Sequence, residues 1–247
     1  MVRDVSVEQT IADCEPQPFT VTSNSQIYHY KDRQKIFKLW GGQREIEMMI
    51  AAGDCSIQPL ERVFQTIGGT TSLMGFTMKR ETPLDVKKID PTRKSSYMHD
   101  MISCVQSLHN KRIIHGDIKP ANMLLCSDSK IRLCDFAEAK PVDEDPAEWA
   151  GQTTLNYSSP HRCQQNRGYP EERYSAPVVE DDLFALGLSV WELWKREVPF
   201  DDVYCDDIYQ MISEGKTVDV EAIGDEEARQ IIWGYLRGGG ATTIARY

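Results

Sequence analysis

The chain has 247 residues, 40% of them hydrophobic, with 38 acidic side chains against 28 basic ones and a net charge of −10. That length buries a proper core and lies near the upper limit for a single one, while the acidic balance disfavours nucleic acid and anionic membrane as partners. Seven cysteines without framework spacing argue for a reducing compartment and against disulfides and a CxxC metal site; the start Met1-Val2-Arg3-Asp4 lacks an apolar signal core, and no run is long enough to span a membrane.

Alternating apolar residues predict strands near 19–30, 33–40, 60–67 and 71–79, with Gly68-Gly69 as the hairpin between the last two. Beyond them the pattern is mostly helical. Met98, Met101, Ile102, Val105 and Leu108 recur at helical spacing and read as the core face of a helix that does no chemistry itself. A polar loop, His115-Gly116-Asp117-Ile118-Lys119-Pro120-Ala121-Asn122, follows between the apolar flanks Ile113-Ile114 and Met123-Leu124-Leu125, and Asp135-Phe136 comes next. Asp143, Glu144, Asp145 and Glu148 read first as a solvated acidic loop, and such a loop also mimics a phosphate electrostatically. The stretch from Cys163 to Val179, with Arg167-Gly168-Tyr169-Pro170, reads as an exposed loop. Leu183, Leu186, Leu188, Val190, Trp191, Leu193 and Trp194 occupy several faces of a helix buried on more than one side, with Asp182 at its start as a helix cap. A last helix near 226–237 ends at Gly238-Gly239-Gly240.

The loop 115–122 with Asp135-Phe136 resembles the catalytic loop and metal-binding motif of the eukaryotic protein kinases. Thr154, Tyr157, Ser159 and Pro160 match the end of that family's activation segment, Asp182 to Gly187 the opening of its central helix, and Ile36-Phe37-Lys38-Leu39-Trp40 the strand whose Lys meets the nucleotide phosphates. The resemblance implies an α+β, bilobal protein-kinase-like fold, with a small antiparallel β N-lobe over 19–79, a mainly helical C-lobe over 80–247 pruned at its end, and an N-terminal extension over 1–18. It implies that Asp117 accepts the proton of a substrate hydroxyl, Lys119 neutralises the transferring phosphoryl, Asn122 and Asp135 hold Mg2+, and Thr154 bonds Asp117 and Lys119. Lys38 would pair the phosphates of ATP, with Glu45 as its partner and Glu47 as runner-up; a snorkelling Lys on an edge strand is the alternative. Phe76 would sit at the back of the nucleotide pocket, with Thr77, Met78 and Lys79 along the hinge. These residue types suit the roles, since a carboxylate takes a hydroxyl proton and hard oxygens suit Mg2+.

The chain also departs from the pattern. The three positions of the glycine-rich phosphate loop fall on Thr20, Thr22 and Ser25. Glycine lets backbone approach phosphate closely, so nucleotide binding is expected to be weaker or differently clamped. The short interval from Lys38 to Glu45 makes the regulatory helix a stub that begins after Gly41-Gly42, with reduced regulation by rotation. Gly116 replaces the Arg that answers a phosphorylated activation segment, Ala137 follows Asp135-Phe136 in place of Gly, and His161 stands where an acid would bridge to a late helix. Cys134 is expected to line the nucleotide pocket, as an accessible thiol or as core packing.

The expected function is Mg2+-dependent transfer of the ATP γ-phosphoryl to protein hydroxyls, Ser/Thr favoured over Tyr. The alternative is a pseudokinase that serves as a nucleotide-sensing or scaffolding module, and a small-molecule kinase of similar fold is a third, weaker reading. A protein or peptide substrate, a monomer and a cytoplasmic location, with the nucleus left open, complete the expectation.

Overall fold

The computed structural model describes residues 2–22, 25–146, 152–164 and 176–244, so the acid at Glu148 and the stretch Arg167-Gly168-Tyr169-Pro170 lie outside the described residues. The first element is strand β1 (Arg3–Ser6), followed by helix α1 (Val7–Asp13), whose N-terminus is capped by the Ser6 hydroxyl accepting the Gln9 N–H at 3.2 Å. Then come β2 (Thr20–Val21), β3 (Gln26–His29), β4 (Lys35–Leu39), helix α2 (Gln43–Ala52), β5 (Pro59–Ile67) and β6 (Thr70–Lys79). They form one six-stranded sheet in the order β1-β5-β6-β4-β3-β2.

Two expectations are corrected here. The sheet is mixed, because β1 pairs parallel with β5, Arg3 opposite Glu61 through Ser6 opposite Phe64. The residues before 19 therefore extend the small lobe, and α1 covers its outer face, where Val7, Cys14, Tyr30, Phe37 and Val63 form a core of their own. Pairing across more than fifty residues leaves no local pattern to read. The strand expected over 19–30 is in fact two, since β2 pairs antiparallel with β3, Thr20 opposite Ile27 and Val21 opposite Gln26.

The second lobe begins with β7 (Thr82–Pro83) and α3 (Lys94–Asn110), then β8 (Ile113–Ile114), β9 (Met123–Leu125), β10 (Ile131–Leu133) and β11 (Lys140–Pro141). Strands β10-β9-β7 make a small sheet, and β11 pairs antiparallel with β8, so the two short ladders flank the loop 115–122. Helices α4 (Pro160–Gln164), α5 (Val179–Lys195), α6 (Cys205–Ser213) and α7 (Glu226–Gly238), with the short strands β12 (Lys216–Thr217) and β13 (Thr243–Ile244), complete the lobe.

Every residue of α5 from Phe184 through Leu193 is buried, as its many-sided apolar pattern requires. Burying one such Leu or Val stabilises by about 1.5–3 kcal/mol. Helix α7 comes close enough that a Cβ on Gly187 would lie 3.1 Å from the side chains of Leu236 and Tyr235. This apolar axis supports α3 on one flank, with Met98, Met101, Val105 and Leu108 fully buried as expected. No described helix is long and apolar enough to cross a membrane.

Candidate active site

The loop 115–122 is fastened from below. Asp182, 1% exposed in the first turn of α5, accepts the backbone N–H of His115 at 2.7 Å and that of Gly116 at 2.9 Å, and pairs with the His109 ring of α3 at 2.9 Å. Asp182 is thus the tie between loop and helix. Gly116 has φ +80, and a Cβ there would lie 2.8 Å from the Glu138 carbonyl, which accounts for the absence of a larger residue.

Above this tie the polar side chains converge. Asp117 Oδ2 accepts from Lys119 Nζ at 2.6 Å and from Asn122 Nδ2 at 2.8 Å, while Oδ1 accepts the Thr154 hydroxyl at 2.7 Å. Lys119 also donates to Thr154 Oγ1 at 2.6 Å, closing a ring of Asp117, Lys119 and Thr154. Thr154 is delivered by the segment leading into α4, whose anchors are the Tyr157 hydroxyl on Glu192, the Ser159 hydroxyl on Asp181, and His161 Nδ1 at 3.3 Å from Asp181. Burial raises the Glu192 carboxyl to about 7, partly opposed by the Tyr157 hydrogen bond.

On the opposite rim, Lys38 of β4 reaches both Glu45 and Asp135 at 2.6 Å. Glu45 is the partner, not Glu47, because α2 starts at Gln43 and two residues along a helix turn a side chain about 200° away; Glu47 instead accepts from Gln43 on the exposed side. Burial would lower the Lys38 pKa, but Glu45 and Asp135 outweigh it and hold the ammonium above its ordinary range. Burial likewise works against the charge on Asp135, and Lys38 outweighs it and keeps that carboxylate below the usual range. Asp135 has φ +61, a left-handed backbone that costs roughly 1–2 kcal/mol for a residue with a Cβ.

The expected hinge residues divide by strand alternation. Phe76 and Met78 stand opposite Lys38 and Ile36 in the β4–β6 register and share their face. Thr77 points the other way, its buried hydroxyl donating to Glu61 at 2.9 Å, so its side chain does not line the pocket. Lys79 is exposed and donates to Ser127 at 2.6 Å and to Glu81 at 2.6 Å, tying the strand's end to the second lobe. Cys134 is half-buried, and burial pushes its thiol up to about 12, so the packing role prevails over the accessible thiolate.

These groups border a cleft of about 340 Å3 lined by Lys38, Glu45, Asp135, Asp117, Lys119 and Thr154, with Thr22 and Ser25 at its roof. The hairpin tip that carries them is tied by the Ser25 N–H on Thr22 Oγ1 at 3.0 Å and the Thr22 N–H on Ser25 O at 2.9 Å. Trp40, Arg44, Glu138 and Gln152 also line the cleft and were not anticipated from sequence. Trp40 is 54% exposed with φ +68, uncommon for a bulky residue, and no composition cue marks it. Arg44 adjoins Glu45, which was its one available signal.

The donor set suits a hard cation. Asn122 spends its Nδ2 on Asp117, which turns its Oδ1 the other way, and Asp135 commits Oδ1 to Lys38, leaving Oδ2. Two oxygens from the protein match Mg2+, which keeps several waters and shares phosphate oxygens. Among the described residues no group of three or more His, Cys, Asp or Glu is placed to hold a metal, and all seven cysteines are free.

A family model described as the protein kinase domain matches residues 25–233. The probable serine/threonine-protein kinase gdt8 of Dictyostelium discoideum is 28% identical over 59% of this chain and 11% of its own length. The serine/threonine-protein kinase mph1 of Schizosaccharomyces pombe is 27% identical over 74% of this chain and 27% of its own length, and the dual specificity protein kinase Ttk of Danio rerio is 25% identical over 59% and 15%. The chain thus spans less than a third of each of these relatives.

Proposed function

The chain belongs to the protein kinase domain family, and from that premise we propose that it transfers the γ-phosphoryl of ATP to Ser or Thr hydroxyls of proteins with Mg2+ as cofactor. The observation that carries this reading is the meeting of Lys38, Asp135, Asp117 and Lys119 on one cleft, each held by a directional partner.

In this reading the substrate hydroxyl approaches Asp117 at Oδ1, which carries the Thr154 hydroxyl while Oδ2 already takes two donors. Asp117 accepts the proton as the oxygen attacks, a contribution of about 10²–10⁴ in rate for a positioned base. Lys119 keeps a positive charge beside that oxygen, and Lys38, already aligned by Glu45, orients the phosphates. Asn122 and Asp135 would hold Mg2+, which when bound would neutralise charge on the phosphates. Thr154 between Asp117 and Lys119 supports a Ser/Thr acceptor, by likeness to the Ser/Thr members of the family.

A second reading, a pseudokinase that senses nucleotide or acts as a scaffold, is favoured by one observation: hydroxyl-bearing Thr22 and Ser25 occupy the roof where glycines would let phosphate approach. Transfer from labelled ATP with Mg2+ to the chain itself and to a pool of basic peptides separates the two. Activity present in wild type and lost in Asp117→Asn and Asp135→Asn supports the enzyme; no transfer, with no heat of nucleotide binding in a parallel titration, leaves the scaffold.

A further inference from the structure

Helix α2 is pinned at both ends by groups that the sequence patterning did not connect. At its C-terminal end the Gln58 side chain donates to the carbonyls of Met49 at 2.7 Å and Gly53 at 2.6 Å. At its N-terminal end Arg44 Nη2 reaches Glu144 Oε2 at 2.5 Å and the Ala139 carbonyl at 3.4 Å, joining residues one hundred positions apart. Glu144 was expected in a solvated acidic loop, yet its side chain is only 11% exposed. The turn that presents it is itself held, through β11 on β8, the Val142 N–H on the Arg112 carbonyl at 2.9 Å, and Asp143 on the Arg112 guanidinium.

Arg44 immediately precedes Glu45, so whatever fixes the first turn of α2 also fixes the carboxylate that meets Lys38. Met49 and Ala52 pack the C-terminal half of that helix against the core, and Ile46, at the end of its first turn, is buried with them. The short connection Gly41-Gly42 supplies no cap, since Gly42 at the N-cap has no side chain to accept a helix N–H. The first turn is thus held by Ile46 in the core, by Glu45 on Lys38 and by Arg44 on the segment.

We propose that Arg44 is a positioning residue, and that its pair with Glu144 is a built-in latch holding α2 with Glu45 engaged on Lys38 while the segment after Asp135 is unphosphorylated. The inference rests on the phosphoryl-transfer reading of the cleft, and it assigns to a genetically encoded carboxylate the work of an added phosphate: a negative charge on the segment facing a guanidinium on the helix. Gly116 is consistent with this, because the loop offers no cation there for a phosphate to meet.

A double-mutant cycle tests the latch on phosphatase-treated full-length chain, with Arg44→Met, Glu144→Gln and the two combined. Each single change is expected to lower kcat about fivefold, and the double variant to lose no more than either single, because the pair acts as one element. Backbone hydrogen exchange in residues 43–47 should quicken in all three variants to the same extent. Losses that multiply in the double variant, or exchange unchanged in the singles, would overturn the latch. A wild type that transfers no phosphate sinks the catalytic reading instead, and the exchange measurement, which needs no activity, still decides the latch.

Discussion

On the lower rim of the cleft, the loop 115–122 is fixed by a carboxylate that takes two backbone N–H groups, Asp182, and by side chains that bond one another directly. On the upper rim, Lys38 is placed by strand register, by a helix of ten residues and by a glycine pressed against Phe76. The lower rim is specified by residue identity at a few neighbouring positions, whereas the upper rim is specified by how distant elements stack. A polar knot fails when one atom is lost; a packed roof shifts by degrees. Changes below should therefore be abrupt, and changes above graded.

The largest effect is expected from Asp182→Ala, which leaves two buried N–H groups without an acceptor and removes the partner of His109. A loss of about 3–5 kcal/mol is expected from urea unfolding, and a loss under 1 kcal/mol would break the contrast between the rims. Gly41→Ala probes the roof: its Cβ would meet the Phe76 ring at 2.4 Å, and overpacking of this kind costs about 1–3 kcal/mol. The same unfolding measurement reads it, and Phe76→Leu in the same chain should restore most of the loss.

Glu192 sharpens the comparison through pH. Its folded pKa of about 7 lies above the ordinary carboxylate value, so the folded state binds the proton more tightly. The stability this confers is present below about pH 4.5 and is lost as pH rises through about 7, a change on the order of 3 kcal/mol. Glu192→Gln keeps an acceptor for the Tyr157 hydroxyl and cannot ionise, so the variant should gain on wild type steadily between pH 5 and pH 8. Equal pH profiles for the two would count against a strained carboxylate beneath the segment. The smallest effect is assigned to Thr22→Val at the hairpin tip, where losing one hydroxyl from the turn costs about 1 kcal/mol locally. KM for ATP should rise a few-fold with kcat nearly unchanged, as read from initial rates.

What could be read from sequence follows the same division. Asp117, Lys119, Asn122 and Asp135 were legible because they crowd into one short stretch that resembles the kinase catalytic loop and metal-binding motif, and the two-lobed α+β fold through the same resemblance, alongside the change from strand to helix patterning near residue 79. Thr154 was legible only through likeness to the family. The choice between Glu45 and Glu47 needed the helix start, and the direction of Thr77 needed the strand phase, since a shift of one residue reverses the face. Arg44 with Glu144, and β1 against β5, join positions too far apart for any local pattern to report.

The covering of the small sheet by α1 gives the upper lobe two interiors, with Phe37 facing one and Lys38, its neighbour in the strand, facing the other. Cys14 is sealed inside the outer of these at 3% exposure, and burial pushes its thiol up to about 11. Such a sulfur is inert until the cover lifts, so the rate at which it takes up an alkylating reagent is a clock for that opening. Run with nucleotide present and absent, the clock reports whether a ligand gripped by Lys38 on one side of the strand is felt on the other.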